Sequence, residues 1–327
     1  MKKRKLGIHG LEVSEIGLGC MTLGKDYSSE SKKYGIEMMR RAYDLGVTMF
    51  DTAVVYENGS NEILVGEALH DIRDKVCIAT KCGICFKNGE MIKDGSEKAI
   101  RESLEASLKR LNTDYVDLLY MHRVGTTTPI EETAEAMAKL YKEGKILSWG
   151  ISEPTMELLR RAHEVFPLAA IENEYSMMWR YPEEEVLPIL EELSIGLVPY
   201  RPLAEGFLTN GTDGMYAGGA GVKGTRFSEE SIKTNMALRE CVHDLASQKG
   251  ATVAQVALAW LLHQKPFIVP IPGTSKMTRM EENIGAANIT FTSDELSTIR
   301  GLLDKIKIVG ARYKPGTASA NSVPKIQ

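Results

Sequence analysis

Val76-Cys77-Ile78-Ala79-Thr80-Lys81, the amphipathic run 96–111, and Val116-Asp117-Leu118-Leu119-Tyr120-Met121-His122 make up the stretch on which the fold turns. Two short apolar segments bracket a helical pattern, and each is followed by an ionisable residue, Lys81 or His122. The same alternation runs from about residue 16 to residue 290, with strands expected at 16–19, 47–50, 76–80, 116–120, 146–150, 169–172, 196–200 and 267–270. Helical stretches lie between them, at 37–45, 96–111, 131–140 and 182–193 among others. Gly46 and Gly144 read as helix C-caps, and Pro129 and Pro154 fall near first turns. Repeated β-then-α at this spacing argues for a parallel sheet covered by helices. Eight strands without a break in composition predict an α/β protein with a closed (β/α)8 TIM barrel, rather than two doubly wound halves. A length of 327 residues alone allows two domains, yet such barrels take ~250 residues or more as one unit. The expectation is one domain over residues 1–327, with an irregular tail from about 307.

Three additions to the barrel are expected. Leu11-Glu12-Val13-Ser14-Glu15 alternates in polarity around Gly7-Ile8-His9-Gly10, which predicts an N-terminal β-hairpin. After the seventh strand, residues 201–227 carry Gly206, Gly211, Gly214, Gly218, Gly219, Gly221 and Gly224. That long loop lies where a barrel would place a flap over its site. An extra helix, 293–306, follows the eighth unit.

Charge narrows the partners. Lys plus Arg total 40 against 44 Asp plus Glu, a net charge of −4, which leaves no basic field for nucleic acid. The basic start Lys2-Lys3-Arg4-Lys5 is not followed by the apolar core of a secretory signal. No apolar run approaches the ~18 residues of a membrane span. Five cysteines are too few and too scattered for a disulfide framework. These features predict a cytoplasmic protein with a small-molecule substrate, no nucleic-acid or membrane partner, and a monomer as the default state.

Three motifs compete for attention and fail. Gly219-Ala220-Gly221-Val222-Lys223-Gly224 fits the dinucleotide fingerprint but follows no apolar strand and opens no periodic helix. Cys82-Gly83-Ile84-Cys85 has redox spacing, yet it reads as part of a loop after the third strand, with no second pair to build a zinc site. Tyr141 and Lys145 mimic a dehydrogenase pair, but Gly144 ends the helix between them.

The stronger signal is polar residues at strand ends. Asp51 closes the second strand, Lys81 the third, and His122 the fourth; Tyr56 lies in the loop beyond Asp51. Singly, each reads as an ionisable residue avoiding a strand interior. Together they occupy neighbouring staves on the rim where barrel enzymes keep their chemistry. A phenol with a pKa near ~10 is a poor proton donor at neutral pH. A nearby ammonium should lower that value, a carboxylate should hold the ammonium in place, and an imidazole can orient a carbonyl oxygen. Asp51, Tyr56, Lys81 and His122 therefore make a general acid for a carbonyl group. No metal is called for: a hydrolytic barrel with Asp51 and His122 on a metal leaves Lys81 and Arg279 unexplained.

On these motifs the sequence resembles the aldo-keto reductase superfamily. The match is carried by Gly17-Leu18-Gly19-Cys20-Met21, Phe50-Asp51-Thr52-Ala53-Val54-Val55-Tyr56, Asp117 to His122, Gly144 to Ser152, and Ile271-Pro272-Gly273-Thr274-Ser275-Lys276 with Arg279, Glu282 and Asn283. It spans about residues 3 to 313 and is nearest the branch of bacterial reductases and potassium-channel β subunits. The resemblance implies NADPH (or NADP+) bound without a Rossmann domain and hydride transfer to an aldehyde or ketone. It makes Tyr56 the proton donor, tuned by Lys81 and Asp51, with His122 placing the substrate oxygen. It implies further cofactor contacts from Gly19, Met21, Asp51, Ser152, Glu172 and Tyr200. Arg201, Leu203, Gly206 and Leu208 fall near the pyrophosphate, and Gly273, Thr274, Ser275, Lys276, Arg279, Glu282 and Asn283 near the adenosine 2′-phosphate. The alternative within this resemblance is an NADPH-binding sensor with slow turnover. Two departures stand out. Glu172 replaces the family's Gln at the nicotinamide carboxamide, where a charged carboxylate would narrow the preference for reduced cofactor. Arg201 replaces Ser, and would reach the pyrophosphate or pair with Glu205.

Overall fold

A computed structural model describes residues 1–24, 28–87, 90–209 and 225–313. The chain opens with an antiparallel hairpin, β1 (Lys3–Leu6) and β2 (Leu11–Ser14), turned at Gly7 and Gly10, both at φ +72°. Seven parallel strands follow: β3 (Leu18–Gly19), β4 (Met49–Asp51), β5 (Cys77–Cys82), β8 (Leu118–Met121), β9 (Trp149–Ser152), β10 (Ala170–Glu174) and β11 (Gly196–Tyr200), each paired with the next. Between β5 and β8 lies a second hairpin, β6 (Ile84–Lys87) and β7 (Glu90–Lys93). Outside the strands run α1 (Ser29–Asp44), α2 (Ser60–Leu69), α3 (Glu97–Leu111), α4 (Ile130–Lys142), α5 (Met156–Val165) and α6 (Pro182–Leu193). After β11 come α7 (Glu229–Lys249) and α8 (Val253–Leu262), and the chain then adds α9 (Met277–Gly285) and α10 (Ser293–Leu303).

The eighth stave departs from expectation. Residues 267–270 form no regular strand, although the segment closes the barrel by isolated bridges, Leu197↔Ile268 and Gly19↔Gly273. The reason lies in Pro270 and Pro272. Val269 and Ile271 donate to Leu197 and Pro199 of β11 (2.8 and 3.1 Å), while the carbonyls of Pro270 and Pro272 accept from Gly17 and Gly19 (2.9 and 3.4 Å). Successive strand residues face opposite neighbours, so both prolines fall on the β3 side and delete the donors that would have completed that ladder.

The hairpin β1–β2 is the floor. Leu6 and Val13 have no exposed surface and pack with Met49, Cys77, Leu118, Ala169 and Val198, which lie at or near the strand starts. The opposite, C-terminal rim is therefore the open end. One other reading changes. The Cys82–Cys85 segment is not a loop: Cys82 ends β5 and Cys85 belongs to the β6–β7 hairpin, whose Lys87 and Glu90 pair beside Asn88-Gly89. The glycine-rich stretch 201–227 is followed by α7 and α8 before the eighth stave. The GxGxxG match and the six glycines from Gly211 to Gly224 lie outside the described residues, as does the tail beyond Tyr313.

Candidate active site

Parallel register staggers the strand-end residues around the rim, Lys81 two positions beyond the partner of Asp51 and His122 two beyond the partner of Lys81. Gly19 pairs with Asp51, Asp51 with Ala79, and Lys81 with Tyr120, and His122 follows Met121 directly. Asp51 and Lys81 point into the barrel, where both are buried. The Lys81 ammonium lies 2.5 Å from Asp51 Oδ1 and 2.9 Å from the Thr52 carbonyl. Tyr56 begins a short 3-10 turn after β4, with its N–H donated to Ala53. This turn folds the phenol back over the rim, with the Lys81 ammonium 5.2 Å from its ring centre. Tyr56 and His122 stand edge to face, ring centres 6.4 Å apart. All four side chains singled out at strand ends and in the loop thus meet in space.

Their electrostatics differ in one respect from expectation. Tyr56 is not lowered: burial pushes it up to about 12, because desolvation, aided by the Asp51 charge, outweighs the pull of Lys81. The hydroxyl therefore keeps its proton at neutral pH. His122 is held well below the usual imidazole value by burial and by the Lys81 and Arg123 charges. It is neutral, able to donate one hydrogen bond. Burial lowers Lys81 as well, but Asp51 and Glu172 more than offset it, and the ammonium persists.

Glu172 takes a place that its sequence position did not reveal. Its Oε2 lies 3.3 Å from Lys81 Nζ, so two carboxylates share one ammonium. Burial and the Asp51 charge push Glu172 up to about 8. Ser152, level with it on β9, donates its hydroxyl to the Glu172 carbonyl at 2.9 Å. Arg123 went unnoticed in the sequence, although a cation beside His122 was a signal to follow. Its Nη1 donates to the His122 carbonyl and to Ser152 Oγ, both at 2.6 Å.

A buried ion network sits beside this cluster. Arg312 grips Glu153 with two nitrogens (2.8 and 2.6 Å), Glu174 with a third (2.7 Å), and the Tyr200 hydroxyl at 2.6 Å. Arg226 binds the other oxygen of Glu174. Tyr200 also meets the Tyr313 hydroxyl at 3.0 Å. Arg201 faces acids, Glu205 at 3.2 Å and Glu174 at 3.7 Å, which a phosphate would have to displace. Met177 and Met178 pack in the core, while Trp179 lies under Arg312, 5.2 Å from its guanidinium.

The expected cofactor residues fall along one edge. Gly19 bridges Gly273, and a Cβ at Gly19 would stand 2.8 Å from the Ile271 carbonyl, so the first and eighth staves touch only because both are glycine there. Met21 is exposed just beyond. Gly273, Ser275 and Lys276 are exposed, Thr274 and Asn283 buried, and Arg279 and Glu282 half-buried, around the start of α9. Lys276 is the N-cap of that helix and its side chain makes no cap bond. The positive end of the helix dipole and two cations, Lys276 and Arg279, suit an anion there. Leu203 and Gly206 line the loop after β11; Leu208 is in the core with its N–H bonded to Leu203. Asp51 Oδ2 and His122 Nδ1 are buried without hydrogen-bond partners among the described residues, as a site built for a polar ligand would leave them. Among the described residues no group of three or more His, Cys, Asp or Glu is placed to hold a metal ion, and no helix is long and apolar enough to cross a membrane.

Comparison with known proteins points one way. Residues 15–304 match the model of the Aldo/keto reductase family. The chain is 40% identical to a probable aldo-keto reductase 1 of Glycine max, over 98% of this chain and 96% of that protein. Among solved structures it resembles a glycerol dehydrogenase of Gluconobacter oxydans at 26% identity, TM-score 0.83, covering 93% and 95% of the two chains. It also resembles an aldo/keto reductase of Klebsiella pneumoniae, crystallised with NADP and acetate, at 27% identity, TM-score 0.76, covering 96% and 99%.

Proposed function

The chain belongs to the aldo/keto reductase family, and from that premise we propose that it reduces an aldehyde or ketone to an alcohol with NADPH, Tyr56 being the general acid. The nucleotide, when bound, supplies the hydride. The observation that carries the reading is the Asp51–Lys81 pair set behind a phenol that keeps its proton. Tyr56 gives that proton to the substrate oxygen as the oxygen gains electron density. Lys81 stabilises the phenolate that forms, and Asp51 fixes Lys81 by the 2.5 Å contact. Neutral His122 donates a hydrogen bond to the same oxygen and so sets its position.

Gly19, Met21, Ser152, Glu172 and Tyr200 would border the nicotinamide, and Leu203 and Gly206 the pyrophosphate. Gly273, Thr274, Ser275, Lys276, Arg279, Glu282 and Asn283 would hold the adenosine end. Because Asp51 and Asn283 would serve one cofactor, we read residues 1–327 as one working unit. The test is NADPH oxidation across aldehydes, ketones, dicarbonyls and quinones. Tyr56→Phe should lower kcat by ~10²–10⁴-fold while nucleotide binding, followed by fluorescence, stays unchanged. Should NADPH bind while no carbonyl compound is turned over faster than by Tyr56→Phe, the protein would be a slow nucleotide sensor. Lys276→Ala with Arg279→Ala should weaken NADPH far more than NADH, since only the former carries the 2′-phosphate.

A further inference from the structure

Lys81 has no exposed surface, and two carboxylates, Asp51 on β4 and Glu172 on β10, converge on its ammonium. If both were ionised the buried trio would carry a net negative charge away from water, which is costly. One carboxyl must keep its proton. Asp51 holds Lys81 at 2.5 Å in hydrogen-bond geometry and is the ionised partner. Glu172 reaches Lys81 at an ion-pair distance of 3.3 Å, yet its Oε2 makes no aligned hydrogen bond among the described residues. The other groups facing this trio are Tyr56 beyond β4, Tyr120 and His122 at the end of β8, and Arg123. Of these only Arg123 is a further charge, and it favours ionised Glu172 less than burial and Asp51 oppose it.

We propose that Glu172 is the proton reserve of the site: protonated in the resting protein, it restores the Tyr56 hydroxyl through Lys81 once Tyr56 has given its proton away. This rests on the reading of Tyr56 as general acid. The transfers balance one proton at a time. Tyr56 Oη–H bonds to the substrate oxygen and leaves a phenolate. Lys81 passes a proton to that phenolate and is momentarily an amine. The amine takes the carboxyl proton of Glu172, which becomes a carboxylate and is later reprotonated from solvent. Asp51 stays ionised throughout and keeps Lys81 in place. Glu172 is thus a positioning and proton-holding residue that acts on the substrate only through Lys81 and Tyr56.

Two measurements test this. In the nucleotide-free wild type with glutamate carboxyls labelled by ¹³C, one resonance should titrate near pH 8, where an ordinary glutamate is fully ionised. It should be missing from Glu172→Gln. Absence of any glutamate titrating above about pH 6 in the wild type overturns the proposal, with no variant needed. In turnover with NADPH, wild-type kcat should fall above about pH 8 as the reserve empties. Glu172→Gln should lose ~10-fold in kcat at pH 6–7, with substrate KM unchanged and the decline near pH 8 abolished. A variant with the wild-type pH profile and kcat sinks the idea. Tyr56→Phe separates the two claims: if it retains full activity the general-acid reading fails, whereas an inactive Tyr56→Phe beside an unaltered Glu172→Gln removes only the reserve.

Discussion

At the level of single residues, the site shows how burial reverses an inference drawn from neighbours alone. A lysine beside a tyrosine lowers the phenol in principle, and Lys81 does pull on Tyr56, but desolvation prevails and the proton stays. The same balance makes Glu172 a titratable group with a stability signature. Its carboxyl is raised from an ordinary 4.5 to about 8 in the fold, so between those values the folded protein holds a proton that the unfolded chain has released. Stability should therefore fall as pH rises through that window, and level off above it. Denaturant unfolding at pH 5 and pH 8.5 should show wild type losing on the order of a few kcal/mol that Glu172→Gln does not lose. Equal losses in both proteins would remove the buried-acid reading. Asp51, Lys81 and His122 were legible because a charge that closes an apolar run is conspicuous. Arg123 and the second role of Glu172 were not, since the contacts that define them cross from one strand to another.

Among elements, seven strands came out of the apolar runs within a few residues, because each run is bounded by turn residues that stop pairing. The eighth was misjudged, and for a physical reason: Pro270 and Pro272 remove the donors facing β3, leaving closure to carbonyls and to the Gly19–Gly273 contact. The helix α7 begins just beyond the glycine-rich stretch 201–227, and two of its buried positions, Ser231 and Asn235, are polar and blur the periodic signal. The N-terminal hairpin was legible from alternation, but its task was not. Leu6 and Val13 fill the barrel floor, and a Cβ on Gly196 would lie 2.3 Å from Leu6, so the fit is tight. Leu6→Ala should cost ~2–5 kcal/mol, as a fully buried leucine leaves a cavity. Urea denaturation checks this, and a loss under ~1 kcal/mol would mean that the hairpin only rests on the barrel.

For the whole molecule, the notable feature is how late residues return to the rim. Arg226, just after the glycine-rich segment, and Arg312, near the end of the described chain, both bind Glu174 on β10, and Arg312 also grips Glu153 after β9. Glu153 tolerates φ +55° because its N–H meets Asn173 and its carboxylate is saturated. Burial pushes Glu153 and Glu174 up, and the arginines pull both below the ordinary value. Removing one partner leaves an uncompensated buried charge, so Arg312→Met should destabilise by ~3–5 kcal/mol. It should also leave the Tyr200 hydroxyl with Tyr313 as its remaining partner, and the looser ring would appear as weaker NADPH binding in a fluorescence titration. An unchanged unfolding midpoint would show that the network is dispensable. The sequence by itself determined the βα alternation, the barrel and the four strand-end or loop residues of the candidate site, because periodicity and strand termination are local properties of the chain. Only the tertiary structure decided which acid shares Lys81, why the last stave is irregular, and how the tail locks onto Glu153 and Glu174. Those outcomes depend on desolvation and on contacts between residues about ninety or more positions apart, which no window of sequence contains.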